Sequence, residues 1–121
     1  MSRLRGIRGA ITVERDCSEE IAEATAELLQ EIVKRNQVDL EDVAAVIFTA
    51  TRDLSADYPA VAARRMGWNH VPLLCCQEMA VEGALPRCIR VLVLVNKDCS
   101  LGEVRHVYLR GAKCLRTDIS G

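Results

Sequence analysis

The sequence is poor in aromatic residues and has no excess of charge of either sign. Its four aromatic side chains are Phe48, Tyr58, Trp68 and Tyr108, and 16 lysines and arginines are balanced by 17 aspartates and glutamates. A surface that binds nucleic acid carries a basic stripe, and single-stranded recognition also uses stacked aromatic rings. The composition provides neither feature, so we do not expect a nucleic acid as partner.

Long hydrophobic runs are also missing. No run approaches the roughly 20 residues that span a bilayer, and the first nine residues lack the apolar core of an export signal. We therefore expect a cytoplasmic protein that makes no contact with a membrane. The 121 residues are enough for one hydrophobic core and too few for two, which predicts a single domain over residues 1–121.

No C-x-x-C pair occurs among the six cysteines, which are Cys17, Cys75, Cys76, Cys88, Cys99 and Cys114. Four of them lie in apolar, strand-like runs, where cysteine behaves as a small hydrophobic residue. Zinc sites need clustered ligands, and His70 and His106 lie far apart without such a pair. A cysteine nucleophile at Cys75 or Cys76 would need a base nearby, and neither histidine is placed by sequence to supply one. We predict neither a disulfide scaffold nor a metal site.

Five apolar segments predict β-strands, at residues 5–13, 43–51, 71–76, 87–97 and 106–115. A capping-box spacing at residues 16–19 opens a long amphipathic helix, whose apolar residues recur at helical spacing from Ile21 to Val33. A short helix is predicted at 59–66, with Pro59 in its first turn and Gly67 after its end. This order predicts an α/β (α+β) fold, with a mixed β-sheet covered by one long and one short helix.

Arg90 interrupts the most apolar strand. Ile89, Val91, Val93 and Val95 alternate with Leu92 and Leu94, so both faces of this strand are expected to be covered. Arginine keeps its charge in proteins and is rarely buried without a partner. Two interpretations remain open. Arg90 forms an internal ion pair with Glu78 or Glu82, or it forms an anion-binding pocket together with Glu78.

The two helices are too few to cover both faces of such a sheet. Strands that are apolar on both faces need cover on both sides, and the chain offers one long and one short helix for this purpose. We therefore expect the second face to pack on another copy of the chain, which predicts a homo-oligomer.

Several sequence blocks occur in order along nearly the whole chain, from Arg5 to Arg116. They are RGIRGAITVERD at 5–16, TAT at 49–51 with DL at 53–54, YPA at 58–60, GW at 67–68, VP at 71–72, Cys75 followed by QEM at 77–79, CIRV at 88–91 and RHVYL at 105–109. Together these blocks resemble the AroH class of chorismate mutases.

The resemblance implies a chorismate-mutase/ferredoxin-like fold that assembles into a trimeric pseudo-barrel, with active sites between subunits. It implies the Claisen-type rearrangement of chorismate to prephenate in phenylalanine and tyrosine biosynthesis, without metal, cofactor or covalent intermediate. In this reaction a C–O bond breaks as a C–C bond forms, and no proton has to move. A charged cavity that holds the folded substrate, with a cation aimed at the ether oxygen, supplies the catalysis.

The resemblance also implies roles for single residues. Arg90 stabilises the ether oxygen, Arg8 binds a substrate carboxylate, and Glu78 and Cys75 hold the ring hydroxyl, so that Arg90, Glu78 and Arg8 are the catalytic residues. The remaining substrate-binding positions are Leu73, Leu74, Tyr108, Leu115 and Arg116 and, from the neighbouring subunit, Tyr58, Ala60 and Arg64.

The sequence departs from the pattern of this class at three positions in or near the site. Leu74 replaces a threonine, Val61 replaces a lysine near the mouth of the cleft, and Tyr58 replaces a phenylalanine. Steering of a dianion is weaker without the lysine. Two alternative functions are an enamine or imine deaminase of the YjgF type and a non-catalytic binder of an aromatic-pathway metabolite. Turnover of chorismate separates the proposed enzyme from both.

Overall fold

The computed structural model describes residues 2–115. Its β-strands and α-helices are β1 (Arg3–Thr12), α1 (Ser18–Asn36), β2 (Val43–Ala50), α2 (Ala60–Arg65), β3 (Leu73–Gln77), β4 (Cys88–Lys97) and β5 (Val107–Tyr108). Three short 3₁₀ turns occur at Leu40–Asp42, Leu101–Glu103 and Arg110–Cys114. Neither α-helix combines the length and the apolar composition that crossing a bilayer requires, as far as residues 2–115 are concerned.

The five strands form one sheet in the order β3-β2-β4-β1-β5. β4 is antiparallel to both of its neighbours, β2 and β1, whereas β3 runs parallel to β2 and β5 runs parallel to β1. The predicted mixed α+β sheet is therefore confirmed. Because β4 is the central strand, Arg90 lies in the middle of the sheet, paired with Thr49 of β2 and Ala10 of β1.

The long helix covers one face of this sheet. Its apolar positions, Ile21, Leu28 and Ile32, are fully or almost fully buried, as the 3.6-residue spacing predicts. Gly9 allows the helix to come close to β1, because a Cβ atom at this position would lie 2.9 Å from Cδ1 of Ile32. The core contains the inward-facing residues of the central strands, among them Ile7, Ile11, Val46, Phe48, Ile89, Val91, Val93 and Val95.

Within residues 2–115, no helix covers the opposite face of the sheet. Leu4 is 53% exposed and Leu74 57% exposed, and Ile47, Leu92 and Leu94 are only half-buried. These residues lie on the same face as Arg90, because side chains alternate along each strand and pair across the ladder. The expectation that two helices leave one sheet face open is met.

The predicted capping box at residues 16–19 is wrong. Cys17 occupies the N-cap of α1 and makes no side-chain capping bond. The carboxylate of Asp16 instead accepts hydrogen bonds from the backbone N–H groups of Ser55 and Ala56, at 3.0 and 2.9 Å. An acceptor occupied by another loop is not available to the helix, and the sequence spacing could not reveal this competing partner.

The predicted fifth strand, at 106–115, is mostly wrong. Only Val107–Tyr108 pairs with β1, and the chain then turns into the 3₁₀ segment Arg110–Cys114. Arg110 has a left-handed backbone with φ of 53°, which ends the extended conformation. The N–H of Gly111 donates to the hydroxyl of Thr12 at 3.0 Å, so this turn is held against the end of β1.

The predicted bounds of the first four strands and of the short helix agree with those in the structure to within two residues. Pro59 has helical dihedral angles (φ −54°, ψ −32°) immediately before α2. Gly67 follows that helix with φ of 93°, a conformation that glycine adopts without a steric cost. Arg87, the first predicted residue of the fourth strand, has φ of 46° and so lies just before it.

Candidate active site

Arg90 projects from the centre of the sheet on the face that α1 does not cover. Its side chain is 42% exposed, yet its Nε atom is buried and has no hydrogen-bond acceptor among the described residues. A buried donor without a partner costs free energy. Such a donor is expected where a ligand supplies the missing acceptor.

Glu78 is the anionic neighbour of Arg90. Its backbone N–H donates to the carbonyl oxygen of Ala50 at 2.9 Å, which fixes the end of β3 beside β2. Its Oε2 atom lies 3.4 Å from Nε of Arg90, without hydrogen-bond geometry, and accepts a hydrogen bond of 2.6 Å from the hydroxyl of Thr49. The predicted ion pair of Arg90 with Glu78 is therefore present. The anion-binding pocket stays a prediction.

A small pocket of about 170 Å³ adjoins Arg90. The register of β1 and β4 pairs Ala10 with Arg90 and Arg8 with Leu92, which places Arg8 on the same face, two residues further along β1. Tyr108 is only 7% exposed and pairs with Ala10 from the other side. The pocket is lined by Arg8, Gly9, Ala10, Arg90, Val91, Tyr108 and Leu115.

The structure thus brings together five of the sequence-predicted site residues, namely Arg8, Glu78, Arg90, Tyr108 and Leu115. Arg8 and Arg90 are two cations that face the same space. An anionic group that enters it would receive donors from β1 and β4 at once. Arg116, also predicted to line this pocket, lies outside the described residues.

A second group of predicted residues lies at the other edge of the sheet. A larger cleft of about 500 Å³ is lined by the loop after β2 and by β3, and it includes Tyr58, Cys75 and Gln77. Tyr58 is 68% exposed, and Ala60 is buried at the start of α2. Arg90 is not among the residues that line the larger cleft.

Cys75 faces α2. Burial raises the pKa of its thiol, and the opposing influences of the backbone N–H of Ala60 and the guanidinium of Arg64 are smaller. Within one subunit, the Cys75 thiol therefore lies near Ala60 and Arg64. Leu73 and Leu74 point to opposite sides of β3, because neighbouring strand residues alternate, and only Leu74 lies on the face of Arg90.

The loop between β2 and α2 is held in place by three carboxylates. Asp16 accepts from Ser55 and Ala56, and Asp57 accepts from the hydroxyl of Ser18 at 2.7 Å. Asp53 accepts from the backbone N–H of Arg87 at 2.9 Å, immediately before β4. Tyr58 and α2 are therefore presented by an ordered loop.

The chain has six cysteines, and none of them forms a disulfide. Burial also raises the pKa of the Cys88 thiol, which lies near Arg90. A raised pKa disfavours the thiolate that nucleophilic catalysis requires. Within residues 2–115, no group of three or more histidine, cysteine, aspartate and glutamate side chains is arranged to hold a metal ion.

Sequence reasoning missed Thr49, which contacts Glu78 and pairs with Arg90. The threonine lies near the end of an apolar strand, where a hydroxyl has no special meaning by itself. Its role depends on β2 being the neighbour of β4, and this strand order is a non-local property. The block TAT at 49–51 contributes to the family resemblance, but it does not reveal the contact of Thr49 with Glu78.

Comparison with known proteins identifies the family. The family model of chorismate mutase type I matches residues 4–119. The chain is 54% identical to chorismate mutase AroH of Thermus thermophilus over 117 residues, which covers 96% of each protein. It is 48% identical to chorismate mutase AroH of Bacillus subtilis (strain 168) over 118 residues, with 97% of this chain and 93% of that protein covered.

Comparison of the fold with a solved structure indicates the same family. The fold matches that of a chorismate mutase from Clostridium thermocellum with a TM-score of 0.89 and 45% sequence identity, covering 90% of this chain and 97% of the other. The sequence and fold comparisons therefore agree, and the chain belongs to the chorismate mutase type I family.

Proposed function

We propose that this protein is an isomerase that rearranges chorismate to prephenate, at the branch leading to phenylalanine and tyrosine. It acts in the cytoplasm as one chorismate mutase domain over residues 1–121. The observation that carries the mechanism is the open Nε donor of Arg90 beside Arg8 and Tyr108. The family and its relatives, close to half identical in sequence over nearly the whole chain, support the reaction.

The substrate is a dianion that must fold before it reacts. Arg8 binds one carboxylate in the pocket, and the completed site holds the enolpyruvyl arm over the ring. Holding the reacting atoms in this geometry removes part of the entropic barrier. The C–O bond breaks and the C–C bond forms within one molecule, so the reaction needs no nucleophile. The raised pKa values of the Cys75 and Cys88 thiols are consistent with this.

Arg90 acts on the charge that develops during the reaction. As the C–O bond breaks, negative charge grows on the ether oxygen, and the guanidinium donates to it. This interaction is stronger in the transition state than in the substrate, which is the condition for raising kcat. Preorganised donors of this kind contribute about 3–4 kcal/mol each in other enzymes. Glu78 accepts a hydrogen bond from the ring hydroxyl.

The pocket at Arg90 is too small to enclose the substrate. Its volume of about 170 Å³ lies below the range of roughly 300–1,000 Å³ that is usual for ligand sites. Tyr58, Ala60 and Arg64, which are expected from a neighbouring subunit, lie near the β3 edge of the same subunit, whereas the pocket lies at β4, β1 and β5. A neighbouring copy can supply these residues, and we propose that it completes the site.

This arrangement favours a closed ring. The two surfaces that meet are different, so the contact is heterologous and generates a ring when it closes. The uncovered sheet face, with Leu4, Leu74, Leu92 and Leu94, would be buried inside such a ring. We propose a homotrimer that forms a pseudo-barrel, with three sites between subunits, and sedimentation at micromolar concentration measures this mass directly.

Incubation of the purified chain with chorismate tests the reaction, and NMR must identify the product, because prephenate and chorismate are isomers of equal mass. Prephenate formation is the expected result. A protein that gains thermal stability with chorismate but forms no prephenate would be a non-catalytic binder. Release of ammonia from an imino acid, without chorismate turnover, would indicate the deaminase instead.

A further inference from the structure

Thr49 lies next to Arg90 and its anionic neighbour Glu78 but belongs to neither group of predicted site residues. The register of β2 and β4 pairs it with Arg90, so its side chain shares the uncovered face with the guanidinium. Its hydroxyl donates to Oε2 of Glu78 at 2.6 Å. The same oxygen lies 3.4 Å from Nε of Arg90.

We propose that Thr49 is a positioning residue that holds the carboxylate of Glu78 away from Arg90 and so keeps the guanidinium available to the substrate. This inference rests on the proposed function, in which Arg90 donates to the ether oxygen. Thr49 itself touches no reacting atom. It acts by restricting the rotation of Glu78.

The geometry of the charged pair supports this role. Arginine and carboxylate groups in contact form hydrogen bonds of about 2.7–2.9 Å, commonly two in parallel. Here the distance is 3.4 Å, and the buried Nε–H group has no acceptor within residues 2–115. A carboxylate that could turn freely would move to satisfy this donor. The hydrogen bond from Thr49, at 2.6 Å, holds it in place.

The backbone adds a second constraint. The N–H of Glu78 donates to the carbonyl of Ala50, the residue that follows Thr49 on β2. Both the main chain and the side chain of Glu78 are therefore fixed to consecutive residues of one strand. Only the side-chain contact depends on the identity of residue 49, so a substitution there releases the carboxylate while leaving the strand pairing intact.

Thr49→Val tests the hydroxyl alone, because valine keeps the branched shape and the strand preference. Loss of a hydrogen bond to a charged group permits Glu78 to pair with Arg90, and we expect kcat to fall about tenfold or more. KM should change much less, because the lost stabilisation belongs to the transition state. Thr49→Ser retains the hydroxyl and should stay within about twofold of the wild type.

A double variant separates positioning from a general structural effect. In Glu78→Ala no carboxylate remains to be held, so adding Thr49→Val should lower kcat by less than about twofold further. An equal loss in both backgrounds would contradict the proposal. Unfolding temperatures identify any misfolded variant, and Thr49→Ala repeats the comparison if valine packs poorly.

A crystal structure of Thr49→Val tests the inference without activity. We expect the distance between Glu78 and Arg90 to shorten to about 2.7–2.9 Å, and an unchanged distance of 3.4 Å would overturn the inference. The two failures remain distinguishable. Absence of turnover in the wild type rejects the proposed function, whereas an active wild type with an equally active Thr49→Val rejects only the role of Thr49.

Discussion

Nε of Arg90 lies 3.4 Å from Oε2 of Glu78 without forming a hydrogen bond to it. The distance is short enough for the carboxylate to offset part of the cost of holding a cation on an apolar strand. The Nε–H donor nevertheless has no acceptor in the described part of the chain. The pair therefore stabilises the guanidinium in its place without consuming the hydrogen bond that the proposed reaction uses.

The adjacent arginines of α2 provide a matched comparison. Arg64 contributes an electrostatic influence on Cys75, and neighbouring helical residues point about 100° apart, so only Arg64 is expected to face the site. We predict that Arg64→Ala lowers kcat/KM at least about tenfold, because a charged contact to the substrate is lost. Arg65→Ala should stay within about twofold in the same assay. Equal effects of the two substitutions would contradict this assignment.

A site shared between subunits predicts complementation. Arg90→Ala is expected to be nearly inactive and Arg64→Ala to keep at most about a tenth of the wild-type kcat/KM, since each substitution damages one half of every site. In mixed rings assembled at random from equal amounts, about one quarter of the sites combine an intact Arg90 with an intact Arg64 of the neighbour. Co-expression should restore turnover to about this fraction of the wild type. No recovery in demonstrably mixed oligomers would indicate that each site lies within one subunit.

A substitution at Gly9 tests the packing between α1 and β1. A Cβ atom there would lie 2.9 Å from Ile32 Cδ1, 3.0 Å from Leu28 Cδ1 and 3.2 Å from the Val107 carbonyl oxygen. We expect Gly9→Ala to lower the free energy of unfolding by about 1–3 kcal/mol, as is usual for overpacking. Gly102→Ala is the control, because no atom of residues 2–115 outside its immediate surroundings lies within 4 Å of the added Cβ. Denaturant titration measures both.

The lowered pKa of Asp16 predicts that the stability of the fold depends on pH. The N–H of Ala56 and, to a lesser extent, the N–H and hydroxyl of Ser55 hold the pKa of this carboxyl below its ordinary value, while partial desolvation opposes them. A lowered folded-state pKa means that its stabilisation is present above the unfolded pKa of about 3.9 and is lost as the pH falls through the folded pKa.

Asp16→Asn should therefore be less stable than the wild type at pH 7, and the difference should shrink on acidification below about pH 4. Thermal unfolding of both proteins across this range measures the effect. Glu20, Asp57 and Glu103 also have lowered pKa values and contribute to the slope of the wild type, so only the difference between the two proteins reports on Asp16. A difference that stays constant with pH would show that the carboxylate charge is not involved.

The sequence predicted features that depend on local spacing. The apolar periodicity from Ile21 to Val33 is sufficient for α1, and the alternation around Arg90 places it opposite Ile89 and Val91. Pro59 and Gly67 mark the ends of α2 because each has a conformational preference that acts locally.

Features that depend on distant partners could not be predicted. The carboxylate of Asp16 contacts residues about 40 positions away, which removed it from the predicted helix cap. β5 is short because the chain turns at Arg110 to contact Thr12. Thr49 gained its importance only from the pairing of β2 with β4. Arg8 and Tyr108 were identified through family resemblance, since neither is unusual within its own segment.

The most direct test of the central claim is the steady-state rate of chorismate loss for the wild type and Arg90→Gln, which removes the charge but leaves a polar side chain. Removal of the cation aimed at the ether oxygen should lower kcat by roughly 10²–10³-fold or more. KM should change far less, because the interaction is strongest in the transition state. A kcat within about threefold of the wild type, in a folded protein, would contradict the assignment of Arg90 as the catalytic cation.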